Sequence, residues 1–193
     1  MKAVFKRHPR MTSVVICFLA ISGAACFWYL EEQGNFHPVT HGEAYRSAQL
    51  DRDELERYIG EFGIRSVINL RGCNAGETWY QKEIQACRTM RVRHFDLELS
   101  AQKAPLPREV QLLVHIFDTA PRPVLIHCQG GADRSGLVAA LWKIVVDDVP
   151  KSVARNQLSL RYGHLPVGPA RVLDYFLDVW GGDTGCLASR FGI

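Results

Sequence analysis

"PVLIHCQGGADRSGLVAALWKIVV", residues 123–146, decides how the rest of the chain is read. "PVLI" is a short, wholly apolar run, as in a strand covered on both faces. "SGLVAALWKIVV" is apolar almost all round, which predicts a central buried helix. Between them, "HCQGGADRSG" packs a cysteine, an arginine, three glycines and a hydroxyl into ten positions. A strand that passes through a glycine-rich loop into a helix N-terminus makes an anion site, because the first N–H groups of the helix are unpaired and point into the loop. Gly130 and Gly131 can take the backbone angles that turn consecutive N–H groups inward. The same field favours a thiolate, so Cys128 is the candidate nucleophile. Arg134, six positions later, can fold back so that its planar fork meets two phosphate oxygens. Ser135 offers a hydroxyl to stabilise the thiolate as it leaves. Gln129, Gly130, Gly131, Ala132, Asp133 and Arg134 form the expected binding loop.

Outward from this unit, helical and strand patterns alternate. "DRDELERYIGEFG" is a helix: Asp51 and Glu54 have capping-box spacing, Leu55, Tyr58, Ile59 and Phe62 share a face, and Gly63 follows the end. "IRSVINL" reads as a buried strand and "ETWYQKEIQACRTM" as a helix. "VRHFDLELS" alternates, with Phe95, Leu97 and Leu99 facing one way and His94, Asp96 and Glu98 the other. "LPREVQLLVHIFDTA", "PKSVARNQLSLRYG" and "PARVLDYFLDVWGG" read as helices. Strands separated by helices predict an α/β fold with a central, mostly parallel sheet flanked by helices. Ligands of such sheets bind outside the carboxyl ends of the strands, where the Cys128 loop falls.

Residues 11–30, "MTSVVICFLAISGAACFWYL", carry no charge and have about the length needed to cross a bilayer as a transmembrane helix. Lys2, Lys6, Arg7 and Arg10 precede them and Glu31 and Glu32 follow, so the N-terminus is expected in the cytoplasm and the rest exported. A cleaved signal, leaving a secreted or periplasmic domain, is the alternative, with Gly23 and Ala25 as a small-x-small site. The expected organisation is a basic segment at 1–10, an anchor or signal at 11–30, a linker at 31–43, one catalytic domain at 44–182 and a tail at 183–193.

The sequence has 47% hydrophobic and 22% charged residues, the balance of an ordinary globular domain. The net charge of +3 comes largely from the first ten residues, and no basic stripe with interleaved aromatics marks a nucleic-acid surface. The six cysteines include no Cys-x-x-Cys pair, so neither a zinc site nor a disulfide framework is expected.

His127, Cys128, Gly131, Arg134, Ser135 and Gly136 match the pattern His-Cys-x-x-Gly-x-x-Arg-[Ser/Thr]-Gly. On these residues the chain resembles the cysteine-dependent protein tyrosine and dual-specificity phosphatases. "YRSAQL", "GIRSVINLR" and "PVLIHC" extend the likeness to small bacterial and fungal-plant dual-specificity-like members, over roughly residues 44 to 180. The resemblance implies hydrolysis of a phosphoprotein or phospholipid by attack of Cys128 on phosphorus, with Arg134 holding the phosphoryl oxygens and neither metal nor cofactor. It also implies a general acid about thirty residues before the cysteine. Asp96, 32 residues before Cys128, fits; Glu98 on the same face is the alternative, and a site without a dedicated acid is a third. The variable loop positions hold no lysine, which weighs against a polyphosphorylated ligand and leaves a monophosphorylated lipid open. Some members protect the nucleophile with a second cysteine, a part Cys73 could take.

Two other classes stay open on sequence grounds: a silent phosphate-binding scaffold, and a sulfur-transfer or arsenate-reducing cysteine enzyme. His127 is expected to hold the loop rather than react. Arg71 either lines the pocket mouth or pairs with a surface acid, and Arg46 reads as structural. His37, His41, His115 and His164 read as ordinary surface residues.

Overall fold

The computed structural model describes Cys17, Phe18 and residues 34–181. Apart from Cys17 and Phe18, the expected anchor at 11–30 lies outside the described residues, as do the segments 1–10 and 183–193. Among the described residues no helix is long and apolar enough to cross a membrane.

Five strands form one sheet: β1 (His37–Thr40), β2 (Ala44–Ser47), β3 (Ser66–Asn69), β4 (Arg93–Asp96) and β5 (Val124–His127), in the order β1-β2-β5-β3-β4. β2, β5, β3 and β4 are parallel, and β1 closes the β2 edge antiparallel. Within residues 34–181 six α-helices accompany them: α1 (Arg52–Phe62), α2 (Thr78–Thr89), α3 (Pro107–Thr119), α4 (Asp133–Val145), α5 (Lys151–Ala154) and α6 (Arg171–Val179). The expected mostly parallel sheet is therefore present as a mixed one.

Alternation along the strands loads both faces of the sheet. Tyr45, Val67 and Leu125 pack with Leu55, Tyr58 and Ile59 of α1 and Ala86 and Cys87 of α2. Ala44, Ile68, Val124 and Ile126 pack on the other face with α3, α4 and α6. Leu137 to Trp142 are all at most 1% exposed, so α4 is the central buried helix its composition predicts. The α1 capping box forms as read, with Asp51 and Glu54 bonded reciprocally, and Gly63 ends the helix in the left-handed region at φ 63°.

Two expectations are corrected. The segment 31–43 is not a linker where it is described: β1 pairs with β2, and Phe36 stacks on Tyr58 with ring centroids 4.1 Å apart. Phe36 packs against one core and Val39 is buried in the other, but two apolar residues among glycine, proline and polar ones leave no spacing that the sequence flags. "PKSVARNQLSLRYG" is not one helix. It breaks after α5 into 3-10 turns at Arg155–Gln157 and Leu160–Tyr162. Ser159 is extended and bonds back to the Asn156 carbonyl, and the Gln157 carbonyl is taken by Arg46 Nη1 at 2.6 Å. Local and tertiary hydrogen bonds thus replace the helical ladder.

The register places the last residues of the four parallel strands in one row: Ser47, His127, Asn69 and Asp96. That row is the floor of the site.

Candidate active site

The loop from Cys128 to Ala132 is held from outside by its carbonyls. Gln49 N–H donates to the Gln129 carbonyl at 3.1 Å, and Asn35 Nδ2 donates to the Gly130 carbonyl at 3.0 Å. Arg46 Nη2 donates to the carbonyls of Gly131 and Ala132 at 2.8 and 3.0 Å. In a trans peptide C=O and N–H point opposite ways. With four successive carbonyls tied outward, the N–H groups of Gly130 to Asp133 turn inward and make an anion cradle over Cys128. Of the two glycines expected to bend the loop, only Gly131 has a positive φ, at 68°. A Cβ there would stand 2.6 Å from Ala48 N and 2.8 Å from the Ser47 carbonyl carbon, so glycine is required by both strain and space. Gly130 is an ordinary position with open space beside it.

Arg46, read as structural, is fully buried, and its ring contact with Tyr162 is 4.2 Å to the centroid. Burial lowers its pKa to about 10, which leaves it charged at neutral pH behind the loop.

Inside the cradle Cys128 Sγ lies 3.4 Å from Ser135 Oγ, with both residues buried. Arg134 leans over the ends of β3 and β4, with Nη1 3.3 Å from the Leu70 carbonyl and 3.4 Å from that of Leu99. Arg71 makes no ion pair with an acid among the described residues: its guanidinium lies 3.5 Å over the Trp79 ring, and Nη1 donates to Gln49 Oε1 at 3.0 Å. Burial and then the charge of Arg134 lower its pKa. Asp96 sits two strands from His127, about 10 Å along the row. Its Oδ1 accepts from Asn69 Nδ2 at 2.8 Å and its Oδ2 from the Tyr80 hydroxyl at 2.5 Å. Asp96, Glu98 and Arg134 line one open cleft, together with Lys103 and Arg108. Cys73 is exposed and Cys128 buried, and both are free thiols.

Sequence reasoning missed a buried carboxylate under the loop. Glu83 of α2 is 3% exposed. Its Oε1 lies 2.7 Å from His94 Nε2, and its Oε2 lies 2.6 Å from Gln49 Nε2 and 3.2 Å from His127 Nε2. Glu83 thus joins His127, the residue before the nucleophile, to the strand that carries Asp96. The signal was present: Tyr80, Glu83 and Cys87 fall on one buried face of α2, where an acid is rarely placed without a partner.

The surface reading holds for the exposed His41 and His115 and fails for the other two. His37 is half-buried and edge-on to Tyr162. His164 is fully buried between two carboxylates, Asp133 Oδ1 at 2.7 Å and Asp174 Oδ2 at 3.0 Å. Its partners come from the first residue of α4, 31 residues earlier, and from α6, 10 residues later, so no local pattern announces them.

A buried cysteine in a loop whose carbonyls are tied outward, followed by an arginine six residues later, is the arrangement expected of a cysteine-based phosphatase site. Residues 33–164 match the family described as "DSP-PTPase phosphatase fused to NAD+ Kinase", and the chain belongs to that family of dual-specificity and tyrosine-type phosphatases. It is 31% identical to the inositol diphosphatase DSP1 of Oryza sativa subsp. japonica over 109 residues, covering 54% of this chain and 46% of the rice protein. The chain therefore spans under half the length of that relative. TpbA of P. aeruginosa has the same fold, with a TM-score of 0.61 and 23% identity over 81% of this chain and 89% of TpbA. So does the catalytic core of the PP-IP phosphatase SIW14 of S. cerevisiae, with a TM-score of 0.61 and 21% identity over 81% and 91% of the two chains.

Proposed function

We propose that this phosphatase hydrolyses phosphate monoesters through a phosphocysteine on Cys128, acting on a phosphoprotein or a monophosphorylated lipid. The observation that carries the reading is the outward tethering of the four loop carbonyls by Gln49, Asn35 and Arg46, which leaves the N–H groups for a tetrahedral anion. Cys128 Sγ attacks phosphorus, and the S–P bond forms as the ester P–O bond breaks. Arg134 swings from the Leu70 and Leu99 carbonyls onto two phosphoryl oxygens. Water then attacks the phosphocysteine, inorganic phosphate departs, and Ser135 donates a hydrogen bond to the leaving thiolate. Acid quenching during turnover, followed by mass spectrometry of the Cys128 peptide, should find one added phosphoryl group. Turnover with no phosphoryl on Cys128 overturns the reading.

Asp96 is our choice as the acid that protonates the leaving oxygen. It stands on the cleft with Arg134, and Asn69 and Tyr80 fix its carboxyl. Asp96→Asn is expected to lose about 10²-fold or more in kcat on an alkyl phosphate, and far less on an aryl phosphate with a good leaving group. Glu98→Gln should be near wild type on both. The reverse ranking in steady-state kinetics would transfer the role to Glu98.

A second reading is favoured by Arg71, a cation near Arg134 that no acid among the described residues meets in an ion pair. An inositol diphosphate, the substrate class in the name of the rice relative, would place a further phosphate there. The TpbA structure with phosphotyrosine supports the protein substrate instead. A panel of phosphopeptides, phospholipids and inositol diphosphates separates these: Arg71→Ala should weaken only the substrate that carries a second phosphate. Membrane attachment through residues 11–30, with the domain exported, is supported by their lack of charge and one-sided basic flank. Alkaline phosphatase fused after the domain should be active, and an inactive fusion overturns that orientation.

A further inference from the structure

We infer that His164, as an imidazolium between Asp133 and Asp174, is a positioning residue that fixes the Asp133 side chain and offsets its charge beside the phosphate cradle. The inference rests on the proposed role of the Cys128 loop. Asp133 opens α4 and stands between Ala132, whose carbonyl is tied outward, and Arg134. A carboxylate there is stabilised by the helix N-terminus, the same field that an incoming phosphate dianion uses. Left uncompensated, it would repel that dianion at close range. Its side chain is 33% exposed, so solvent screens it only in part.

The geometry assigns the charge on His164. Both ring nitrogens face carboxylate oxygens, at 2.7 and 3.0 Å. An ionised carboxylate only accepts, so both nitrogens must donate, and that is the imidazolium form. Full burial of the ring rules out rotation toward water. The hydrogen bond with Asp133 raises the His164 pKa, burial opposes this, and Asp174 raises it further. The neighbouring charges alternate in sign. Arg155 Nη2 lies 3.7 Å from Asp174 Oδ1 and Arg155 also pairs with Asp178, while Arg46 sits behind the loop within reach of the Asp133 charge. His164 is thus the cation in direct contact with the Asp133 carboxylate, that contact charge is lost when the ring gives up its proton, and α6 is coupled to the phosphate loop through one ring.

The test uses the full chain carrying Cys128→Ser and inorganic sulfate as the probe, because the charge of sulfate is constant over the neutral range. Sulfate affinity is measured by calorimetry in this parent and in versions that add His164→Asn, or His164→Asn with Asp133→Asn. His164→Asn should weaken sulfate on the order of tenfold, the scale of one partly screened unit charge a few ångströms from an anion. Adding Asp133→Asn should restore affinity to about the parent value, a rescue that a purely structural role for His164 would not show. In the parent, affinity should fall as pH rises through the His164 titration followed by NMR, and Asp133→Asn alone should remove that fall. Parent-like binding by His164→Asn, or a double variant as weak as the single, overturns the inference. Should His164→Asn fail to fold, the pH series on the parent and on Asp133→Asn decides it alone, and a flat profile in the parent overturns it. A parent that binds no sulfate at any pH overturns the reading of the loop itself.

Discussion

Cys128→Ser is expected to lower kcat/KM on a chromogenic aryl phosphate by at least about 10³-fold while the loop still binds oxyanions. A serine hydroxyl is un-ionised at neutral pH, and among the described residues no carboxylate or imidazole is hydrogen-bonded to Sγ. Sγ is hydrogen-bonded to the Ser135 hydroxyl at 3.4 Å, which donates or accepts but takes no proton from a hydroxyl. The hydrogen bonds that hold the loop carbonyls come from Gln49, Asn35 and Arg46 and do not involve the sulfur. Binding and turnover should therefore separate. Steady-state kinetics beside sulfate affinity checks it; equal losses in both would mean that Cys128 shapes the cradle as well as reacting.

How much of this was legible depends on where the partners of each residue lie in the chain. The Cys128 loop is continuous in sequence, so nucleophile, glycine turn, arginine and hydroxyl could be read together from spacing. The parallel sheet could be read from the order of apolar runs, because each run is short and ends at a turn signal. Holding the loop in shape falls to residues scattered over the chain. Asn35 reaches Gly130 across 95 residues, and Arg46 reaches Gly131 across 85. Long-range polar contacts leave no periodicity. Asn35 lay in the supposed linker, where a lone asparagine reads as turn chemistry, and it does have a left-handed φ of 46°. Asp96 was legible as a candidate but not its surroundings, since Asn69 and Tyr80 meet it only once β3, β4 and α2 are packed together. Asp133 was read as a loop residue facing substrate, and its tie to His164 was invisible for the same reason.

The buried carboxylate of Glu83 leads to the second large effect, on stability. Glu83→Ala should destabilise the domain by about 3 kcal/mol or more, because it leaves the buried His127 and the half-buried His94 and Gln49 around an empty site. For a domain of this size that is a fall in Tm of roughly 6–12 °C by calorimetry. Glu83→Gln keeps the volume but turns an amide toward Gln49, and should cost less. The pH dependence follows from the direction of the shift. Burial alone would push the Glu83 carboxyl up; the positive charge of His127, the contacts with His127 and His94, and the hydrogen bond from Gln49 outweigh it and hold the carboxyl well below its ordinary range. A carboxyl lowered in the folded state binds fewer protons there than in the unfolded chain. Its contribution is therefore complete above the ordinary value of 4.5 and is lost as pH falls below that value toward the folded one. Urea denaturation at a series of acidic pH values should show wild-type stability declining below about 4.5, with a shallower decline in Glu83→Gln. Equal slopes in the two proteins would mean that other carboxyls carry the acid sensitivity. Because Glu83 also touches His127, the same acid range should loosen the loop, so weakened sulfate binding by the Cys128→Ser chain should set in before global unfolding.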